Sequence, residues 1–550
     1  MIKNEDLNLI AQWKDQPAPL LGLMHAFHDR DGYISDESIR SISEGLCIPL
    51  ADLYSTVTFY HHFSRKPPGK QAPRICTGPI CVLRGANDLL KEFDNAVEMP
   101  CAGRCDSPIP VILEDDVFTI ASTTKLLNVP SPVPVPNPGG VEECLFLNIR
   151  EPSRKTLNGY QNTNGYEALK KAWDIPPIEL IKVIEESGLS GRGGAGFSTG
   201  KKWEAVLQAD GTPKAIVCNA DEGEPGCFKD RALLDYDPHA VIEGMAIAAH
   251  ATGAKLGFIY LRYEYPNTAK TIEIALNEAQ EAGFWGKSGF DIYLRRGAGA
   301  YICGEEGSLL NSLEGKHPYP RNRPPFPVTK GLNQQPTAVN NVETLAAIPP
   351  IIRNGPKWYQ ELGIGEHNGT KLISLSGDIR CPGNYEVPIG LSLATLLNEW
   401  AGGPFENRSI QAVTMAGLSG GFIASSDLNV TLDDPALKSL GSFLGAGGIM
   451  VFDDRRDMVE IAHGAMEFFA DESCGKCFPC RIGTQRISER LGRKNVSIDP
   501  KSWLEEVNDL GAVMKSTSAC GLGTAAPNVS DSLLKYFPDQ VKSHLHRTTD

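Results

Sequence analysis

Residues 188–231 read GLSGRGGAGFSTGKKWEAVLQADGTPKAIVCNADEGEPGCFKDR, and this stretch decides how the rest of the chain is read. Gly191, Gly193 and Gly196 satisfy a G-x-G-x-x-G spacing, which marks a dinucleotide turn only where a strand precedes it and a helix follows. Here Pro176-Pro177 leads into IELIKVIEES, with apolar residues at 178, 180, 181 and 184 and a proline at the first turn. That pattern predicts an amphipathic helix, so a helix enters the glycine loop. What the stretch offers is a backbone free of side chains, Lys201 and Lys202 as local cations, and the carboxylates of Asp221, Glu222 and Glu224. Glycines let peptide N–H groups approach a phosphate or a flat ring, and lysine adds charge for the phosphate. The acids suit hydroxyl groups of a ribityl or ribose chain better than a phosphate, which they repel.

Working outward, composition excludes several classes. The chain has 550 residues, 41% of them apolar, enough for three or four domains. Its 67 acidic against 53 basic residues give a net charge of -14, which argues against nucleic acid as a partner. MIKNEDLNLIAQWKDQ lacks a basic segment followed by an apolar one, and no run of eighteen apolar residues occurs. The expectation is a cytoplasmic protein with neither signal peptide nor membrane span. The most apolar part, residues 240–262, carries Glu243 and His250 and reads as a buried helix plus a strand.

Fourteen cysteines without an export signal point to reduced thiols or metal ligands rather than a disulfide framework. Cys76 and Cys81, then Cys101 and Cys105, form two pairs in loops beside strand-like runs; such pairs hold zinc or a two-iron cluster. Cys474, Cys477 and Cys480 form C-x2-C-x2-C, with Cys520 forty residues later in ACGLG. Three close thiolates and a distant fourth fit a [4Fe-4S] cluster, whose cube needs one sulfur per iron, with zinc as the rival. Cys47, Cys144, Cys218, Cys227, Cys303 and Cys381 are scattered and read as plain thiols. His25, His28, His61 and His62 have no cysteine or carboxylate at ligand spacing, so they do not read as a metal site.

In chain order, residues 1–70 predict a helical bundle, with Ser35 capping a helix whose first turn carries Asp36 and Glu37. Residues 71–127 hold the two cysteine pairs. Prolines at 130, 132, 134, 136 and 138 forbid helix and central strand, so 128–154 reads as an extended linker. A mixed α/β region follows over 155–368. In it DIYLRRGAGAYICGEEGSLL is a strand, a glycine turn including Gly304, and a helix with Glu305 and Glu306 at its start. PPFP at 324–327 presents Phe326 as a stacking platform for adenine, Arg323 stands ready for a phosphate, and Asn340 and Asn341 are expected to begin a helix. Residues 369–452 alternate short strands with one helix, and 453–550 open on a long amphipathic run into the C-terminal cysteines.

GRGGAGFSTGKKW, CNADEGEPGCFKDR, GAGAYICGEEGSLLNSLEGK and NNVETL, in this order, resemble the NADH-binding flavoprotein subunit of respiratory complex I and its soluble relatives. The N-terminal bundle with its cysteine pairs is similar to the thioredoxin-like [2Fe-2S] subunit of the same complex, although the Cys81–Cys101 interval is short for it. The resemblance implies a multidomain α/β protein: helical bundle and thioredoxin-like domain, α/β core for FMN and NAD(H), β-grasp domain, and helical iron-sulfur domain. It implies that FMN and NAD(H) are held by Gly191, Arg192, Gly193, Gly194, Gly196, Phe197, Lys202, Asn219, Asp221, Glu222, Glu224, Gly304, Glu305, Glu306, Arg323, Phe326, Asn340 and Asn341. It also implies one [2Fe-2S] on Cys76, Cys81, Cys101 and Cys105 and one [4Fe-4S] on Cys474, Cys477, Cys480 and Cys520. No side chain is expected as nucleophile or general base, because hydride transfer belongs to the flavin. The fused domains and the CGLG ending look most like the beta subunit of NAD-dependent formate dehydrogenase, which implies a molybdenum- or tungsten-containing partner with its own clusters. The diaphorase subunit of NAD-reducing nickel-iron hydrogenase and the complex I flavoprotein are the alternatives.

Overall fold

The computed structural model describes residues 3–122, 125–128, 131–286, 289–492 and 499–546, so Pro130 of the expected linker lies outside the described residues. Four helices, Asn4–Trp13, Pro19–Asp31, Asp36–Leu46 and Leu50–Phe59, open the chain around Leu23, Met24, Phe27, Ile42, Leu53 and Val57. The third starts where the sequence predicts: the Ser35 side chain accepts a hydrogen bond from the Ser38 N–H at 3.0 Å.

Strands β1 (Arg74–Cys76), β2 (Val97–Met99), β3 (Pro110–Leu113), β4 (Asp116–Ser122) and β5 (Lys125–Asn128) form a sheet ordered β2-β1-β3-β4-β5. Only β1 and β2 pair in parallel. A parallel pair requires a crossover, and the helices Pro79–Leu83 and Ala86–Glu92 supply it within the short interval between the cysteine pairs.

The central sheet is all parallel, ordered β8-β7-β6-β9, from β6 (Ala215–Ala220), β7 (Leu256–Leu261), β8 (Asp291–Arg296) and β9 (Thr337–Asn341). Its inner strands are buried on both faces, which is why AIVC and GFIYL read as unbroken apolar runs. The chain runs outward from β6 to β8 and then returns to the other side of β6 as β9. That reversal places a crevice at the carboxyl ends of β6 and β9, the position where open α/β sheets take ligands.

A third sheet, ordered β11-β10-β14-β12-β13, contains β10 (Thr370–Gly377), β11 (Gly383–Pro388), β12 (Ile410–Thr414), β13 (Phe422–Ala424) and β14 (Gly448–Asp453). Its first and last strands are central and parallel, as in a β-grasp sheet. The proline-rich segment is fastened to this sheet. The Val135 N–H donates to the Asn384 carbonyl at 2.9 Å, and the buried Glu386 carboxylate accepts the N–H groups of Cys144, Leu145 and Phe146 at 2.7–3.1 Å.

The C-terminal region is helical, with Met458–Asp471, Phe478–Leu491, Pro500–Thr517, Pro527–Tyr536 and Pro538–His546. Three sequence expectations change here. The amphipathic run before the cysteines is broken between Asp471 and Phe478, and Cys474 and Cys477 lie in the break. Asn340 and Asn341 end strand β9, with Asn341 as the cap of the helix Val342–Asn354. Cys76 and Cys81 sit on a strand and a short helix rather than in loops, because the β1 crossover starts at Pro79.

Candidate functional site: a glycine-loop cleft and two thiol centres

The glycine loop joins the helices Pro177–Glu186 and Thr199–Gln208. It is closed at its neck by the Gly191 N–H to the Phe197 carbonyl at 2.8 Å and the Thr199 N–H to the Leu189 carbonyl at 3.0 Å. Residues 193–197 are exposed, and Phe197 is 55% accessible. A Cβ placed on Gly194, whose φ is +119°, would find its nearest protein atom 3.7 Å away; for Gly196, φ +63°, the figure is 4.0 Å. The loop is thus an exposed shelf bare of side chains at its glycines, with the Gly445–Ala446 backbone in ordinary contact distance of Gly194, the kind of surface a flat ring or a phosphate approaches closely. Arg192 does not face that shelf: its side chain is buried and donates to the Tyr359 hydroxyl at 2.7 Å.

The shelf rests on the carboxyl end of β9. Gly193 packs on Asn341, whose amide donates to Asp230 at 2.6 Å and whose oxygen accepts from Lys229 at 3.2 Å. Beneath them lies an ionic cluster that the sequence did not single out. Lys229 pairs with Asp230 at 2.6 Å and Glu343 at 2.9 Å, and Glu343 also holds Lys371 at 2.5 Å; all four are buried. Burial lowers Lys371 to about 8, against the opposing attraction of Glu343.

On the other side of the cleft, Asn219 donates to the Gly304 carbonyl at 2.8 Å. Glu305 caps the helix Glu306–Leu313 through the Ser308 N–H and accepts from Arg323 at 2.6 Å. Arg323 also meets Glu306 at 2.9 Å, and Glu306 faces Lys202 at 3.6 Å. This chain of alternating charge ties the glycine-loop helix to the PPFP turn, where Phe326 is 51% accessible. Lys202 donates to the Val339 carbonyl, and Asn340 accepts from the Trp203 indole at 3.0 Å, locking that helix onto β9.

The three acids after β6 take different positions. Glu222 accepts the N–H groups of Asp230 and Arg231 and the Tyr265 hydroxyl; burial raises it to about 7. Glu224 accepts from the Leu418 and Ser419 N–H groups, the Ser419 hydroxyl and the Tyr301 hydroxyl. Asp221 keeps one carboxylate oxygen without a protein donor, and burial pushes its acidity well down. Asp221, His61, Cys101, Arg262, Tyr301 and Glu472 line a small pocket between the acid loop and the first cysteine centre. The hydrogen bond to Glu472 raises His61 above its ordinary range although burial opposes it. His61 and Glu472 stand in HHF and DES, which carry no recognisable pattern; Arg262 follows β7 and was equally silent.

Each thiol set converges. Cys76, Cys81, Cys101 and Cys105 are all buried, with the N–H groups of Ala102 and Gly103 turned towards the sulfurs of Cys76 and Cys101. Hydrogen bonds from Cys105 and Cys76, helped by the charge of Arg262, hold Cys101 on the thiolate side. Donated N–H groups and buried thiols are what a sulfur-ligated two-iron cluster needs. Cys474, Cys477, Cys480 and Cys520 line a second small pocket with Ile302, Pro320 and Leu522, and Cys477 and Cys520 each precede a helix. Ile302 belongs to the turn leading to Glu305, so this centre adjoins the cleft. Bound flavin supplies exchange of hydride with a nicotinamide and of single electrons with iron-sulfur clusters.

Fold and site together define an NAD(H)-dependent oxidoreductase subunit with an FMN-binding core, a [2Fe-2S] domain and a [4Fe-4S] region. The chain belongs to the NADH-binding flavoprotein family that includes the F subunits of NADH-quinone oxidoreductase and the alpha subunit of NAD-reducing hydrogenase HoxS. Residues 184–350 match the Nuo51 FMN-binding domain, 460–544 the NADH-ubiquinone oxidoreductase-F iron-sulfur binding region, and 7–106 the thioredoxin-like [2Fe-2S] ferredoxin. The F 2 subunit of NADH-quinone oxidoreductase of Rhizobium meliloti is 43% identical over 411 residues, covering 74% of this chain and 98% of the relative. The alpha subunit of the NAD-reducing hydrogenase HoxS of Cupriavidus necator is 32% identical over 575 residues, covering 98% and 94%. A crystal structure of NAD+-reducing [NiFe]-hydrogenase in the H2-reduced state matches with a TM-score of 0.83 at 30% identity, over 98% of this chain and 95% of that one.

Proposed function

We propose that this chain is the diaphorase subunit of a cytoplasmic, multi-subunit, NAD-linked formate dehydrogenase. The observation that carries the diaphorase reading is the placement of one bare glycine shelf, at the switch point of a parallel sheet, between two convergent sets of four cysteines. Electrons enter or leave singly at a thiol centre, and the cleft residues hold the pieces for hydride exchange. In this reading Phe326 stacks on adenine, Lys202 and Arg323 meet phosphate, Asp221 offers its free oxygen to a hydroxyl, and the exposed glycines face the flavin. The six domain segments follow the cofactors: bundle, two-iron domain, linker, flavin core, β-grasp sheet and four-iron helices.

The relatives are subunits of larger enzymes, which supports a partner that oxidises the ultimate donor. The fused two-iron and flavin domains and the CGLG ending around Cys520 support a molybdenum- or tungsten-containing formate-oxidising partner with its own clusters. A second reading, hydrogenase, is supported by the similarity along nearly the whole chain to a hydrogenase subunit. Metal content of the native complex separates them: molybdenum or tungsten is expected, and nickel without either overturns the formate reading. The diaphorase reading is tested apart from it, on the reconstituted chain, by flavin absorbance and NADH oxidation with ferricyanide or a viologen. Absence of both sinks it.

A further inference from the structure

Arg262 stands where the two-iron domain meets the acid loop of the flavin cleft. Its side chain is buried, 3% exposed, and its planar fork touches both partners at once. One terminal nitrogen donates to the Cys101 carbonyl at 2.5 Å, and the other donates to the Glu222 carbonyl. Glu264 closes the remaining side, bonding Nε at 3.0 Å and Nη2 at 2.9 Å, and the guanidinium lies over the Tyr265 ring. A second buried arginine, Arg231, holds the same cysteine loop through the Gly103 carbonyl and Asp106.

A lysine would not reproduce this, because a point charge cannot bond two carbonyls in fixed directions. Nor is the arrangement needed to neutralise carboxylates alone: two of the donors of Arg262 go to neutral carbonyls while a charge is kept in a low-dielectric interface. What gains from that charge is the nearby cysteine centre. An all-thiolate two-iron cluster is net negative, and one further negative charge arrives with each electron. A fixed, buried cation beside it favours the reduced form. The Arg262–Glu264 pair acts as a dipole whose positive end meets Cys101.

We propose that Arg262 is a positioning residue for the two-iron centre, seating the Cys101 loop against the Glu222 loop and raising the reduction potential of that centre through its charge. The step it would act on is transfer of one electron to the cluster that Cys76, Cys81, Cys101 and Cys105 would hold, from reduced flavin in the working protein or from dithionite in the test, one ferric iron becoming ferrous with no bond made or broken.

The test is a redox titration of the holoprotein with dithionite, following the two-iron spin-resonance signal, together with iron content and flavin absorbance. Arg262→Gln keeps hydrogen-bonding capacity and removes the charge. At the wild-type midpoint, its reduced-to-oxidised ratio is expected to fall from one to about one-tenth, a lowering of about 59 mV for a one-electron couple. Glu264→Gln removes the opposing charge and is expected to shift the midpoint upward. Arg262→Lys should recover much of the potential but not the seating, seen as faster proteolysis of the 101–106 loop. A purely structural role would move both glutamine variants in the same direction or neither. An unchanged midpoint in Arg262→Gln with full iron content overturns the proposal. If that variant loses the cluster, Glu264→Gln decides: an upward shift supports the proposal, and no shift or a downward one overturns it.

Discussion

Replacing Glu343 by glutamine probes the ionic cluster beneath the glycine shelf. Glu343 is 1% exposed and holds two ammonium groups, Lys229 at 2.9 Å and Lys371 at 2.5 Å, besides accepting the Leu372 N–H at 2.9 Å. After the change Lys229 keeps Asp230, but Lys371 is left with the carbonyls of Leu372 and Ala446. Breaking a buried pair from one side costs about 3–5 kcal/mol, since the remaining charge is left in low dielectric. At about 2–4 °C per kcal/mol for a domain of this size, the flavin core should melt about 6–20 °C lower. The loss has a pH signature. Lys371 is already lowered to about 8 by burial, and without Glu343, which raises it, its folded value drops further. An unfolded lysine keeps its proton to about pH 10.4. Between the two values the unfolded chain binds more protons, so stability rises with pH and the defect at about pH 7 should shrink towards about pH 9. Because Asn341 links this cluster to Gly193, FMN affinity should fall by about tenfold, or about 1.4 kcal/mol. Thermal melts at several pH values and fluorescence titration with FMN measure both. A melting point within about 2 °C of wild type, a shift of under 1 kcal/mol, or a defect that grows with pH, would refute this account of the cluster.

Three further outcomes follow from the cleft itself. Gly194→Ala puts a methyl on the exposed loop at φ +119°, 3.7 Å from the Gly445–Ala446 backbone, so flavin absorbance of the purified protein should be lost while far-ultraviolet dichroism stays native. Glu306→Gln removes half-exposed pairs to Arg323 and Lys202 worth about 0.2–1 kcal/mol each, so stability should barely change while the KM for NADH rises several-fold; unchanged kinetics would reduce Glu306 to a helix-start acid. Cys520→Ser should abolish the four-iron signal and leave the two-iron signal, with bound iron falling from about six to about two per chain; retention of all the iron would exclude Cys520 as a ligand.

The parts legible in the sequence are those encoded by local pattern. Pro177 with apolar residues at helical spacing gave the helix into the glycine loop, Ser35 gave a cap, and the spacing of the C-terminal cysteines gave their convergence on one cavity. Contacts made by backbone atoms left no such trace. His61 and His62 donate through their N–H groups to the carbonyls of Gly299 and Ala298, and Arg295 donates to the carbonyls of Pro17 and Ala18. Almost any residue could present those carbonyls, so no letter code announces the docking of the bundle. The buried pairs of Lys229, Glu343 and Lys371 were hidden for another reason. Their sequence separations are long, and each residue taken singly reads as an ordinary surface charge.

The acid loop shows how one short motif serves two ends. DEGEPG leaves the carboxyl end of β6 with three carboxylates, and the fold spends two of them on itself: Glu222 gathers the N–H groups that open the helix Lys229–Tyr236, and Glu224 fastens the turn at Leu418 and Ser419. Both lie on the path between the cleft and its neighbours, Glu222 towards Arg262 and the Cys101 loop, Glu224 towards Tyr301 and the Glu472 turn that precedes Cys474. An electron carrier gains from such fixing, because preorganised dipoles need not reorient when charge arrives. Asp221, just ahead of these two anchors and left with one oxygen that no protein donor reaches, is then the acid in this loop still able to accept a hydrogen bond from a bound molecule.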